Sequence, residues 1–217
     1  MVPIHPLALI ALVVRLYNFA LAIYIKIKRK LNAMHTTLVI VPGLGNSTPQ
    51  HWQTHLEQQY SDTIRVIQDD WDHPERAAWI ARLQETIEQT SGKLILVGHS
   101  LGSIVISQWA KSYHNPRIKA GLLVAPADVD APDALDCIAN NGPIPTQPIG
   151  FKTIVVCSDN DPYARLERSQ LFAKNWGSEL ICLKQAGHIN ADAGFGQWPL
   201  ASELLERLER ETQAVHS

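Results

Sequence analysis

The 217-residue chain is 46% hydrophobic and 18% charged, which is enough apolar side chain to bury one core and too much for a disordered chain. Its 19 basic and 21 acidic residues leave a formal charge of -2. No net positive field therefore recruits nucleic acid or an anionic membrane surface, and a small molecule or short peptide is the expected substrate.

Residues 7–25 are almost wholly apolar, but Arg15 and Asn18 interrupt the run and Lys26, Lys28, Arg29 and Lys30 follow it. A signal peptide carries its positive charge ahead of the apolar stretch, so this order disfavours one. An arginine near the centre costs a transmembrane helix on the order of 3 kcal/mol. Two readings of residues 1–33 stay open: a marginal membrane anchor with the basic cluster on the cytoplasmic side, and an extension ahead of a true start at Met34. Either leaves the expected domain, residues 34–217, in the cytoplasm.

From Met34 onward, short β-branched runs alternate with longer stretches of helical period, the pattern of parallel strands joined by crossover helices. Strands are expected over 38–41, 64–68, 93–97, 120–124, 153–157 and 179–183. Helices are expected over 50–59, 74–90, from Ser100 to about Tyr113, over 165–176 and over 200–212. A loop over 126–150 separates the fourth and fifth strands. Six mostly parallel strands with helices on both faces and no large cap define an α/β class whose sites form at the carboxyl ends of the strands. Cys137, Cys157 and Cys182 are odd in number and lack metal-ligand spacing. They read as free thiols in a reducing compartment, with Cys157 and Cys182, inside β-like runs, packed as small hydrophobes.

Gly98-His99-Ser100-Leu101-Gly102 matches G-x-S-x-G between an apolar strand and a helix. That context lifts a serine hydroxyl out of a strained strand-to-helix turn, with the glycines removing side chains where strand and helix crowd. A helix-capping turn with no chemistry is the plainer alternative. A serine nucleophile needs a general base and an acid to orient it, in the chain order Ser, acid, His. His188 follows the last strand and is the expected base. Asp161, ahead of Pro162, is the preferred acid, with Asp159 and Asp128 as alternatives. His51, His55 and His73 precede the serine, and His99 is expected to pack beneath the reacting face.

Acyl transfer also needs donors for a tetrahedral oxyanion. The Leu101 backbone N–H, just after the serine, supplies one. The second is expected from the Gly-rich loop Pro42-Gly43-Leu44-Gly45-Asn46, with Leu44 preferred and Gly45 and Asn46 open. Trp52, Trp71 and Trp198 lie in or beside loops and are candidates for a substrate pocket, although packing is the commoner use of tryptophan.

Several blocks together resemble the small serine hydrolases of the retinoblastoma-binding-protein-nine-like family. They are the residues from Val41 to Ser47, His51-Trp52, Asp69 to Pro74, Gly98 to Gly102, Val124 to Pro126, Ser158 to Tyr163 and Gly187 to Pro199. The similarity covers about residues 36–213. It implies an α/β-hydrolase fold, a mechanism without metal or cofactor, and a triad at Ser100, Asp161 and His188. The expected activity is cleavage of an ester, thioester or activated amide through an acyl-enzyme. A catalytically weak binding protein of the same fold is the alternative, and nothing in the sequence sets the oligomeric state or the natural substrate.

Overall fold

Alternation builds the first strand. In β1 (Thr36–Val41), Leu38 and Ile40 face one side of the sheet while Val39 and Val41 face the other, and all four are fully buried. Strands buried on both faces read as continuous apolar runs, and β3 (Lys93–His99), β4 (Ile118–Val124) and β5 (Lys152–Ser158) follow the same rule. With β2 (Thr63–Arg65) and β6 (Glu179–Leu183) they form a six-stranded sheet in the order β2-β1-β3-β4-β5-β6, every pairing parallel. The computed structural model describes residues 36–214. The apolar and basic segment, with its anchor and start-site readings, lies outside them.

Helices cover both faces. On one side, α2 (Arg76–Gln89), α3 (Leu101–Ser112) and α5 (Leu166–Trp176) bury Trp79, Leu83, Trp109, Phe172 and Trp176 against Val39, Leu94 and Leu96. On the other, α1 (Trp52–Gln59) and α6 (Pro199–Ala214) pack Trp52, Leu56, Leu204 and Leu208 on Leu38, Ile95 and Val97. The expected class, an α/β-hydrolase sheet with helices on both faces, is the observed one. Among the described residues no helix is long and apolar enough to cross a membrane.

Two expectations differ from the structure. The second strand is three residues long, because the chain peels off the sheet edge after the Val66 N–H bonds the Ile40 carbonyl, leaving Ile67 57% exposed. The loop over 126–150 contains a one-turn helix, α4 (Asp136–Ala139), too short to register as a period.

Strand order decides where chemistry can sit. The chain goes from β1 outward to β2, then returns across β1 to β3 and continues the other way. β1 and β3 therefore form the switch point, where the loops leaving their carboxyl ends diverge and open a crevice.

Candidate active site

β3 ends directly in the elbow. Ser100 has φ 54° and ψ −124°, a strained conformation for a residue with a side chain, and its N–H bonds the Val124 carbonyl at 2.9 Å. The flanking glycines permit this crossing. A Cβ on Gly98 would meet the Ser103 Cα at 2.8 Å, and one on Gly102 would collide with the Val41 and Pro42 carbonyls. α3 starts at Leu101, whose N–H lies in the first turn and has no carbonyl of its own helix to bond.

Across the sheet, Asp161 and His188 meet. The imidazole Nδ1 lies 2.9 and 3.0 Å from the two oxygens of the Asp161 carboxylate, with both side chains nearly excluded from solvent. A carboxylate there accepts a hydrogen bond from Nδ1–H, which keeps the proton on Nδ1 and leaves the Nε2 lone pair available. Asp161 Oδ1 also accepts from the Tyr163 N–H at 2.9 Å, and the Tyr163 ring stands edge-on to His188 at 4.6 Å.

The other two aspartates are engaged elsewhere. Asp159 accepts the Gln185 N–H at 2.7 Å, tying the loop after β5 to the loop after β6. Ser158 Oγ and Asn160 Oδ1 add to that tie by accepting from the Ala186 and Gly187 N–H groups, which sets the backbone just before His188. Asp128 is paired with Arg168 at 2.7 and 2.9 Å.

Ser100 and His188 line one cavity of about 280 Å³, without a direct hydrogen bond between their side chains among the described residues. Leu44 and Leu101 border it too. The three backbone N–H groups considered in the Gly-rich loop are distinguishable. Gly45 donates to the Trp71 carbonyl at 3.0 Å and Asn46 to the Gly43 carbonyl at 3.2 Å, whereas the Leu44 N–H has no backbone acceptor among the described residues. A broader groove of about 810 Å³ adjoins the cavity and shares Leu135, Ile138 and Tyr163 with it.

The three tryptophans assigned to a substrate pocket do not line this cavity, and each is used in packing. Trp52 is 1% exposed and donates its indole N–H to the Ile189 carbonyl at 2.9 Å. Trp198 stands edge-on to Trp52 at 5.4 Å, and Trp71 edge-on to Trp79 at 5.7 Å. The cavity wall comes instead from Ala127, Leu135, Ile138 and Tyr163 on one side of the elbow sequence and from Asn46, Thr48 and His51 on the other.

His99 also departs from its expected place. It borders the cavity, held between the His51 ring at 4.6 Å and the His188 ring at 4.9 Å, and donates Nε2–H to the His188 carbonyl at 3.0 Å. Burial holds its pKa well below the usual histidine value, so it stays neutral and serves to fix the His188 backbone. The cysteines are free thiols, but Cys182 is exposed and not packed as a small hydrophobe. Its register partner Cys157 is buried, and burial with Cys182 alongside pushes that thiol up to about 12. No group of three or more His, Cys, Asp or Glu side chains able to hold a metal comes together among the described residues.

Two residues missed in the sequence hold the Gly-rich loop in position. Gln53, fully buried, donates to the Val41 and Val97 carbonyls at 3.3 and 3.0 Å and accepts from Ser47 Oγ at 2.6 Å. It bridges β1 and β3 where they diverge. Arg65 bonds Asn46 Oδ1 at 2.9 Å, the Ser47 carbonyl at 3.0 Å and Thr54 Oγ1 at 2.7 Å, and it pairs with Glu57. The only hint of these roles was polarity out of place: an amide on the buried side of a helix, and an arginine closing an edge strand.

Solved structures share this arrangement of strands and helices. A protein from Pectobacterium atrosepticum described as a YdeN-like hydrolase superposes with a TM-score of 0.74 at 29% identity, covering 87% of this chain and 98% of its own. The ydeN gene product of Bacillus subtilis gives 0.69 at 19% identity, covering 80% and 98%. Est1E of Butyrivibrio proteoclasticus, solved with ferulic acid bound, gives 0.61 at 16% identity, covering 82% and 90%. No curated protein sequence matches the chain. The profile of the serine hydrolase family matches residues 38–207, spanning the switch-point loops, the elbow and the His188 loop, and the chain belongs to that family.

Proposed function

We propose that the protein hydrolyses a small carboxylic ester, thioester or activated amide through an acyl-enzyme on Ser100. The observation that carries this reading is the Asp161–His188 pair, at 2.9 and 3.0 Å, opening on the same cavity as a serine held at φ 54°. His188 Nε2 takes the hydroxyl proton as Ser100 Oγ attacks the carbonyl carbon, and Asp161 stabilises the imidazolium that results. The Leu44 and Leu101 N–H groups receive the oxyanion, each worth roughly 3 to 4 kcal/mol in such sites. Collapse expels the alcohol, thiol or amine, which takes the proton from His188. Water then attacks the acyl carbonyl with His188 as base, releasing the acid and restoring the serine.

A cavity near 280 Å³ favours a short acyl group, and the adjoining groove offers space for the leaving group. Ester cleavage is preferred over peptide cleavage because the cavity lining, among the described residues, supplies no exposed strand edge for an extended chain. Kinship with the retinoblastoma-binding-protein-nine-like members, a cytoplasmic location and a small-molecule partner belong to the same reading.

Fluorophosphonate labelling of folded protein tests it. Covalent modification mapped to Ser100 and lost in Ser100→Ala is expected, and p-nitrophenyl ester hydrolysis should fall with it. Labelling that persists unchanged in Ser100→Ala would remove the proposal.

A further inference from the structure

His51 borders the cavity, is 5% exposed and takes no part in the proton transfers proposed above. It is the N-cap of α1, and its Nδ1 accepts the Gln53 N–H at 3.2 Å. A nitrogen that accepts carries no proton, so the ring proton sits on Nε2. Burial, with Arg65 and His188 nearby, lowers the pKa to about 4, so this single tautomer persists at neutral pH. Trp52 and His99, with ring centroids 5.4 and 4.6 Å away, hold the plane of the imidazole. Nε2–H has no protein acceptor among the described residues.

The neighbouring wall has the same polarity. Asn46 Oδ1 is occupied by the Ser47 N–H at 2.7 Å and by Arg65 at 2.9 Å, which leaves only its NH2 end to the cavity it lines. The wall from the β1–α1 loop thus offers donors, while the wall from the β4–β5 loop is apolar. Among the described residues no lysine or arginine lines the cavity, and Asp192 does. A carboxylate on the substrate would meet repulsion and no counter-charge, whereas a neutral oxygen would meet a fixed N–H.

We propose that His51 selects the acyl group by donating Nε2–H to a neutral acceptor oxygen close to the scissile carbonyl, so that alkoxy-, hydroxy- or keto-acyl esters are preferred over plain alkanoyl esters. This rests on Ser100 being the acylated residue. The test compares p-nitrophenyl methoxyacetate with p-nitrophenyl butanoate, whose acyl groups differ only by an oxygen in place of a methylene. In the wild type, the ratio of their kcat/KM values should exceed the ratio of their hydroxide-catalysed rates by roughly tenfold. His51→Asn keeps an N-cap acceptor but removes the ring donor, and it should bring the enzyme's ratio down to the hydroxide ratio.

A wild-type ratio equal to the hydroxide ratio overturns the assignment without recourse to any variant. Equal losses on both esters in His51→Asn overturn it as well, because they mark a purely structural cap. Fluorophosphonate labelling of the same preparations separates the two levels: labelled Ser100 without acyl preference removes the His51 role alone, and an unlabelled wild type removes both.

Discussion

The β1–α1 loop and the β4–β5 loop flank Ser100 because β1 and β4 are the neighbours of β3 in the sheet, yet they are held by different forces. The first is short and tied at several points: Arg65 to Asn46 and Ser47, Gln53 to Ser47 and to the Val41 and Val97 carbonyls, Gly45 to the Trp71 carbonyl. The second is anchored at its base, where Asp130 accepts the Ile144 N–H at 2.9 Å and Trp176 donates to the Pro145 carbonyl at 2.8 Å. Its apex, residues 131–138, has only local turn bonds such as Ala134 to Ala131 and Ile138 to Leu135. Leu135 is 42% exposed there while also lining the cavity. A preorganised N–H is worth most where it does not have to move, so the bonded wall suits charge stabilisation. The apolar wall needs only approximate shape, which a locally bonded apex can vary at little cost in stability.

That contrast can be broken from the largest effect downward. Asp161→Asn should lower kcat about ten-thousand-fold by holding His188 in the wrong tautomer, with the fold intact by circular dichroism. A loss under tenfold would mean that the acid is not the orienting group.

Next comes acid. His51 is held at about 4 and His99 well below its usual value, chiefly by burial, so the unfolded chain binds protons that the folded one does not. Stability should therefore be full above the unfolded histidine pKa and fall as pH drops from about 6.5 toward 4, by roughly 3 kcal/mol for His51 alone. Urea unfolding at pH 7 and pH 4.5 measures this. A pH-independent midpoint would show that the histidine cluster is not buried neutral.

Arg65→Met should release the Gly-rich loop and lower kcat roughly tenfold with KM little changed, since the proposed Leu44 N–H donor would act mainly in the transition state. A lower Tm with unchanged kcat would reduce Arg65 to a structural tie. The smallest effect belongs to the other loop: Leu135→Ala should move the preferred acyl length upward by one or two carbons and change kcat/KM a few-fold. If Leu135→Ala disturbed kcat as strongly as Arg65→Met, the division of labour between the walls would fail.

Much of this molecule was legible along the chain because the signals are local. Strand alternation, helical period and the Gly98–Gly102 elbow each lie within a few residues, and the succession of six strands and their helices followed from them. β2 and α4 were misjudged because one depends on where an edge strand leaves the sheet and the other is a single turn whose N-cap, Leu135, makes no side-chain cap bond.

Local order could also nominate Ser100, Asp161 and His188, but it could not rank the acids or the donors. Asp159 and Asp128 have the same chemistry as Asp161, and only the sheet, by setting the β5 and β6 loops side by side, gives Asp159 to Gln185, Asp128 to Arg168 and Asp161 to His188. The same holds for which of the Leu44, Gly45 and Asn46 N–H groups finds a backbone acceptor, and for tryptophans that pack against one another while His51 and His99 reach the cavity. Residue type and spacing act over a turn or a strand. Which hydrogen-bond partner a side chain finds is set by segments far apart in sequence that meet only when the sheet assembles.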